Sequence, residues 1–244
     1  MKLGLIVSVA MFVIVGAFRP LFSQNRQGHV SRRTSMSNID VTSATLGDYM
    51  EILGRQLKVS GKTKQGYGRG SKTLGFPTAN LPYFDRYIEK LDWRLGVYFG
   101  WATVGWDAAE DKIIYPVVCN LGFAPTFGEE QNKMRIIESH LLDYPPEKGD
   151  FYNETLRVAL VAYLRPEQTF DGVDALKAQI AQDCEIAKKA AALAEVDKDC
   201  PLAQAKSAVN EFLVTNCLHG PFWDDRWPYQ IKDLSKIDVS EELR

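Results

Sequence analysis

The apolar residues of this chain follow two different periods. Residues 96–105 (Gly-Val-Tyr-Phe-Gly-Trp-Ala-Thr-Val-Gly) are crowded with aromatic and β-branched side chains and bounded by glycine, which predicts a strand. Residues 113–120 and 156–164 read the same way. Residues 136–142 make a shorter strand, in which alternation sets Ile136, Glu138 and His140 on one face and Ile137, Ser139 and Leu141 on the other. Several short strands with loops between them predict a closed antiparallel barrel. After Asp171 the period lengthens. Val173, Leu176, Ile180, Cys184 and Ala187 recur at steps of three and four, an amphipathic helix with Asp171 as its N-cap. Residues 39–58 carry no pattern that assigns an element.

The two ends of the chain are patterned differently. After Lys2, residues 3–15 form an apolar run, too short to span a bilayer comfortably but suited to the hydrophobic stretch of a signal peptide. Val15, Gly16 and Ala17 supply small residues for cleavage after Ala17. Residues 18–38 then hold four arginines, four serines and no acidic residue, which is transit-peptide character. A signal, a Phe at the cut (Phe18) and an Arg/Ser-rich stretch resemble the bipartite plastid presequence of algae with secondary plastids. Plastid import is the expectation, with a mitochondrial destination or a membrane anchor as alternatives. At the other end, residues 221–229 carry four aromatics, enough to pack on the core or to bind a partner.

Composition narrows the class. With 45% hydrophobic and 25% charged residues among 244, the chain fits a globular domain with one good core and extensions. A net charge of −2 argues against nucleic acid as a partner. The four cysteines (Cys119, Cys184, Cys200, Cys217) are widely spaced, with no C-x-x-C pair, and read as reduced thiols rather than a zinc site or a disulfide framework. The sequon at Asn153 is read as chance.

The densest chemistry lies in residues 66–80, Gly-Tyr-Gly-Arg-Gly-Ser-Lys-Thr-Leu-Gly-Phe-Pro-Thr-Ala-Asn. Closely spaced glycines let backbone N–H groups approach phosphate oxygens, and Lys72 adds a full positive charge. A P-loop is excluded because Ser71 stands where its second Gly belongs, and a dinucleotide fingerprint because the third Gly comes one residue early. Both motifs also need a helix next, whereas Pro77 pushes its predecessor out of helical angles.

The whole run resembles the signature of the riboflavin kinase (flavokinase) family. Three later blocks agree in order: residues 120–127 (Asn-Leu-Gly-Phe-Ala-Pro-Thr-Phe), 138–143 (Glu-Ser-His-Leu-Leu-Asp), and 150–152 with 163–167 (Tyr-Leu-Arg-Pro-Glu). The resemblance covers residues 61 to about 190. It implies a six-stranded antiparallel Greek-key β-barrel with a C-terminal amphipathic helix. It also implies an enzyme that phosphorylates riboflavin with ATP, giving FMN and ADP. Carried over residue by residue, Glu138 is the general base, and Thr78 and Asn80 hold Mg²⁺, with zinc as the alternative metal. Gly66, Lys72, Thr78, Leu141, Asp143 and Tyr152 bind ATP, and Arg165, Gln168 and Phe170 bind the flavin. His140 is expected to orient its neighbours or to pack in the wall rather than to act as base, and residues 120–127 to form a flap over the ribityl chain. Thr63 and Lys64 are polar where the family has apolar residues, which weakens the expected burial of the first strand. Asp143 and Gln168 also differ from residues found in relatives.

The expected organisation is a signal-like segment 1–17, a transit-like segment 18–45, a kinase barrel 46–195 and an extension 196–244. The stretch before the barrel is too short for an adenylyltransferase domain, so synthesis should stop at FMN, in a monomer that meets a membrane only through its N-terminal segment. A non-catalytic flavin carrier on the same barrel is the alternative function. A carrier needs neither the base nor the metal oxygens.

Overall fold

The computed structural model describes residues 39–65, 75–81, 93–105, 113–123 and 135–214. The strands are β1 (Glu51–Lys62), β2 (Lys64–Gln65), β3 (Ala79–Leu81), β4 (Gly96–Val104), β5 (Tyr115–Phe123), β6 (Arg135–Leu141) and β7 (Thr155–Arg165). They form one antiparallel sheet in the order β1-β7-β4-β5-β6-β3-β2. Strands β1 and β2 stand at opposite ends of that order, yet only Thr63 separates them. The sheet must therefore curl until its ends meet. Counted as one bent strand, β1 and β2 bring the total to the six expected. The run β4-β5-β6 with β7 returning beside β4 is a Greek key. Closure differs from the expectation of a closed barrel in one respect. No hydrogen-bonded ladder joins the two sheet ends among the described residues, and the circuit is completed by the chain itself at Thr63.

That bend corrects the reading of Thr63 as a weak point. Thr63 is fully buried, and its backbone leaves the sheet to bond the turn before β7. Its N–H donates to Glu154 O (2.9 Å), its carbonyl accepts from Asn153 N–H (2.9 Å), and its hydroxyl donates to Phe151 O (2.5 Å). A polar side chain is what this site requires, since an unpaired buried carbonyl is costly. The unassigned stretch 39–58 also finds a place. Glu51 onward is β1, and Ile39, Val41 and Leu46 enter the core ahead of it.

Alternation along the strands makes two cores. Inside the curl, Leu57, Val59, Leu81, Tyr98, Val117, Leu121, Ile137 and Leu160 pack together. On the outer face, Val97, Phe99, Trp101, Val118 and Val161 are covered by helices. These are α1 (Leu46–Tyr49), α2 (Val173–Val196) and α3 (Pro201–Val214). Strands β4 and β7 approach so closely at Gly100 that a Cβ there would lie 2.0 Å from Ala159 O. The expected single C-terminal helix is thus two, and among the described residues the core draws on side chains from Ile39 to Leu213. α2 begins one residue later than expected. Gly172, not Asp171, is its N-cap, no side chain caps it, and Val173 is exposed. Among the described residues no helix is long and apolar enough to cross a membrane. The N-terminal segments and the aromatic stretch 221–229 lie outside them.

Candidate functional site

Sheet register assembles the polar site. Glu138 on β6 pairs with Asn80 on β3 and, across its other edge, with Asn120 on β5. Asn120 pairs with Val97 on β4, which pairs with Arg165 on β7. Directly paired residues point to the same side of a sheet. Asn80, Glu138, Asn120 and Arg165 therefore stand in one row across the outer face. Their chain neighbours Leu81, Ile137, Cys119 and Leu121 point into the barrel.

Glu138 is 4% exposed. Its Oε1 accepts a hydrogen bond of 2.5 Å from the Thr78 hydroxyl, while its Oε2 has no partner among the described residues. Burial pushes its carboxyl above the ordinary value, and the Thr78 bond draws it only partly back. Asn80 Oδ1 is likewise buried and unpartnered. Native buried polar atoms are rarely left so, and two side by side mark a place prepared for a ligand. The donor set also suits a hard cation. Thr78 Oγ1 spends its proton on Glu138 and keeps lone pairs free, and Asn80 Oδ1 is a neutral oxygen two residues along the same face.

Thr78 is held in place from behind. Gly75 turns the chain at φ +87°, Pro77 keeps it extended, and the Pro77 carbonyl accepts a 2.7 Å bond from His140 Nδ1. Phe76 packs edge-on against the His140 ring at 5.8 Å. Burial lowers the His140 pKa, so the ring is neutral near pH 7 with its proton on Nδ1.

The remaining expected residues are not all gathered here. Leu141 turns its side chain into the barrel interior, away from Glu138. Asp143 is exposed, in left-handed backbone (φ 59°), and its Oδ1 accepts a 2.6 Å bond from Lys188 of α2. Tyr152 is half-buried in the turn that Thr63 fastens. Gly66 and Lys72 lie outside the described residues. The flap expected at residues 120–127 is strand as far as Phe123, the rest lying outside the description. On the flavin side, Arg165 turns its guanidinium to Asp183 of α2. Nε and Nη2 reach the carboxylate at 2.7–3.1 Å and Nη1 donates to Pro166 O. Gln168 is exposed, and Phe170 packs at the edge of the helix-side core.

Two residues of this region had no expected role, Asp183 and Glu167, and a third, Asn120, was expected only as part of the flap. Asp183 had a signal, being an acid at helical spacing on the buried stripe of Leu176, Ile180 and Ala187. Asn120 and Glu167 lay within matched blocks, but only the register shows them meeting, with Asn120 Nδ2 donating to Glu167 Oε1 at 3.3 Å.

The family described as riboflavin kinase (Flavokinase) matches residues 53–191. The chain is 39% identical over 137 residues to the riboflavin kinase of Homo sapiens, covering 55% of this chain and 81% of that protein. It is 41% identical over 132 residues to a bifunctional riboflavin kinase/FMN phosphatase of Arabidopsis thaliana, covering 54% of this chain and 32% of that one. A crystal structure of riboflavin kinase from Trypanosoma brucei superposes with a TM-score of 0.45 at 21% identity, over 63% of this chain and 89% of that one.

Proposed function

We infer that this chain, which belongs to the riboflavin kinase family, is itself a riboflavin kinase, transferring the γ-phosphoryl group of ATP to the ribityl 5′-hydroxyl to give FMN and ADP. The observation that carries the mechanism is the buried Glu138, one oxygen fixed by Thr78 and the other free. The free Oε2 accepts the 5′-hydroxyl proton as that oxygen attacks the γ-phosphorus. The bond to the β-phosphate bridging oxygen breaks, ADP leaves, and the proton rests on Glu138 until solvent takes it. A raised pKa suits this work, because a stronger base accepts a proton with more driving force than an ordinary carboxylate.

Thr78 Oγ1 and Asn80 Oδ1 would hold Mg²⁺. Bound there, the ion would neutralise charge on the transferring phosphate. Gly66, Lys72 and Tyr152 are the ATP contacts we favour, with Phe170 and Gln168 toward the flavin. Arg165 supports that end through its pairing with Asp183 rather than by a free fork. The Arg/Ser-rich N-terminus supports plastid delivery. Residues 1–45 fused to a fluorescent reporter should reach that organelle, and diffuse cytosolic fluorescence would end this part of the reading.

The enzymatic test is direct. The chain is incubated with riboflavin and Mg-ATP and FMN is followed by chromatography, with Glu138→Gln in parallel. FMN from the parent and almost none from the variant is the expected result. Tight riboflavin binding without FMN would make the chain a carrier instead.

A further inference from the structure

We propose that Asn120 and Glu167 read the secondary hydroxyls of the ribityl chain, and so make this site select a flavin that carries a polyol. The proposal rests on the riboflavin kinase reading and adds to it a pair of specificity-determining residues.

Spacing points to the polyol rather than the ring. Asn120 stands directly opposite Glu138, one strand spacing away, about 4.8 Å. Glu167 Oε1 lies over Gly122 of the same strand, 3.3 Å from Asn120 Nδ2. A substrate whose 5′-oxygen meets Glu138 carries its next hydroxyls back along four C–C bonds of about 1.5 Å each. That reach of roughly 5 Å, extended, ends where Asn120 and Glu167 begin. The ring, farther along, falls toward β7 and Phe170. The chemistry agrees, since an ionised carboxylate only accepts hydrogen bonds and an amide both donates and accepts. Together they suit a run of hydroxyl groups.

The place is also cleared for this carboxylate. A Cβ at Gly122 would lie 2.5 Å from Glu167 Oε1 and 2.7 Å from Asn120 Nδ2, so only glycine lets Glu167 lie down over the strand. Glu167 is exposed, and no ion pair claims it among the described residues. The cation nearest in sequence, Arg165, is turned away to Asp183.

A purely structural tie between β5 and the chain after β7 would use the same bond, so the test must read substrate choice. Two substrates are compared, riboflavin and a flavin with a 5-hydroxypentyl side chain, which keeps the reacting hydroxyl and lacks the other three. The parent should favour riboflavin in kcat/KM by at least tenfold. In Glu167→Ala that preference should largely vanish, through a rise in the riboflavin KM of about tenfold with the pentyl flavin's KM in place. Glu167→Gln keeps the shape without the charge and should fall between. Equal losses for both substrates, or an undiminished preference, would overturn the proposal. Affinities for the two flavins, read by quenching of flavin fluorescence, test the pair independently of turnover. A parent that turns over neither flavin would refute the kinase reading, while the affinity ratio still decides this one.

Discussion

A carboxylate buried to 4% exposure, with no cation beside it among the described residues, is costly to ionise, and that cost is the mark of Glu138. Its folded-state pKa lies above its unfolded one, so the unfolded chain gives up the proton first. Stability is then greatest below the unfolded pKa and falls as pH rises toward the folded one. Catalysis needs the opposite state. Activity should therefore rise with pH along an acid limb displaced above the ordinary carboxylate range, read in a pH profile of kcat. Glu138→Gln should lower kcat by about 10²–10⁴-fold while melting no lower than the parent near neutral pH. A variant that loses activity by unfolding would show Glu138 to be a structural group. His140 has the reverse sign. Its lowered pKa means stability is lost as pH falls below the unfolded value of about 6.5. His140→Ala should abolish that acid dependence and release Pro77, raising the Mg-ATP KM more than it changes the riboflavin KM.

Elements, unlike single residues, are held by a few couplings that the sequence displays only in part. The side chains of Arg165 on β7 and Asp183 on α2 are 10% and 2% exposed, and Gln179 adds a further bond to the carboxylate at 3.0 Å. Removing one member of such a pair strands the other charge, so Asp183→Ala should cost about 3–5 kcal/mol in denaturant unfolding. A loss under about 1 kcal/mol would mean that water already reaches the pair. The strands β4 to β7 and helix α2 were legible because apolar spacing sets their faces, and alternation alone put Glu138 and His140 together. β1 was not legible. Its residues run Glu-Ile-Leu-Gly-Arg-Gln before Leu57 and Val59, and its register shifts between Ile52 and Leu57, which breaks the period. The meeting of Asn120 with Glu167 was hidden for another reason. It depends on the β5–β6 register and on empty space above Gly122, neither of which is local in sequence.

At the scale of the molecule, the match to the family ends at residue 191 but the fold does not. Helix α3 lies across β1, β4 and β7, burying Leu202, Val209 and Leu213 against the outer face of the sheet. Polar contacts fix its register. Thr103 donates its hydroxyl to Leu213 O at 2.9 Å, Lys58 reaches Ala208 O at 3.3 Å, and Lys206 sits 5.7 Å from the Trp101 ring centroid. Each large apolar side chain so buried is worth about 1.5–3 kcal/mol, against a total margin of about 5–15 kcal/mol for an ordinary domain. A chain cut after residue 196 should therefore fail to hold a native sheet, although every residue matched to the family is present. The cut would bare Trp101, which lies in the same sheet as the Asn80–Glu138–Asn120 row, so FMN synthesis should fall with the fold. Leu213→Ala isolates the packing from the chain length and should cost about 2–5 kcal/mol, read as a lower denaturant midpoint, with the riboflavin KM unchanged. If the truncated chain melts as the full one does, the sheet is self-sufficient and α3 is an appendage. If it unfolds, the working kinase domain is the unit from Ile39 to Val214, and the site on its outer face depends on a helix beyond the residues that define the family.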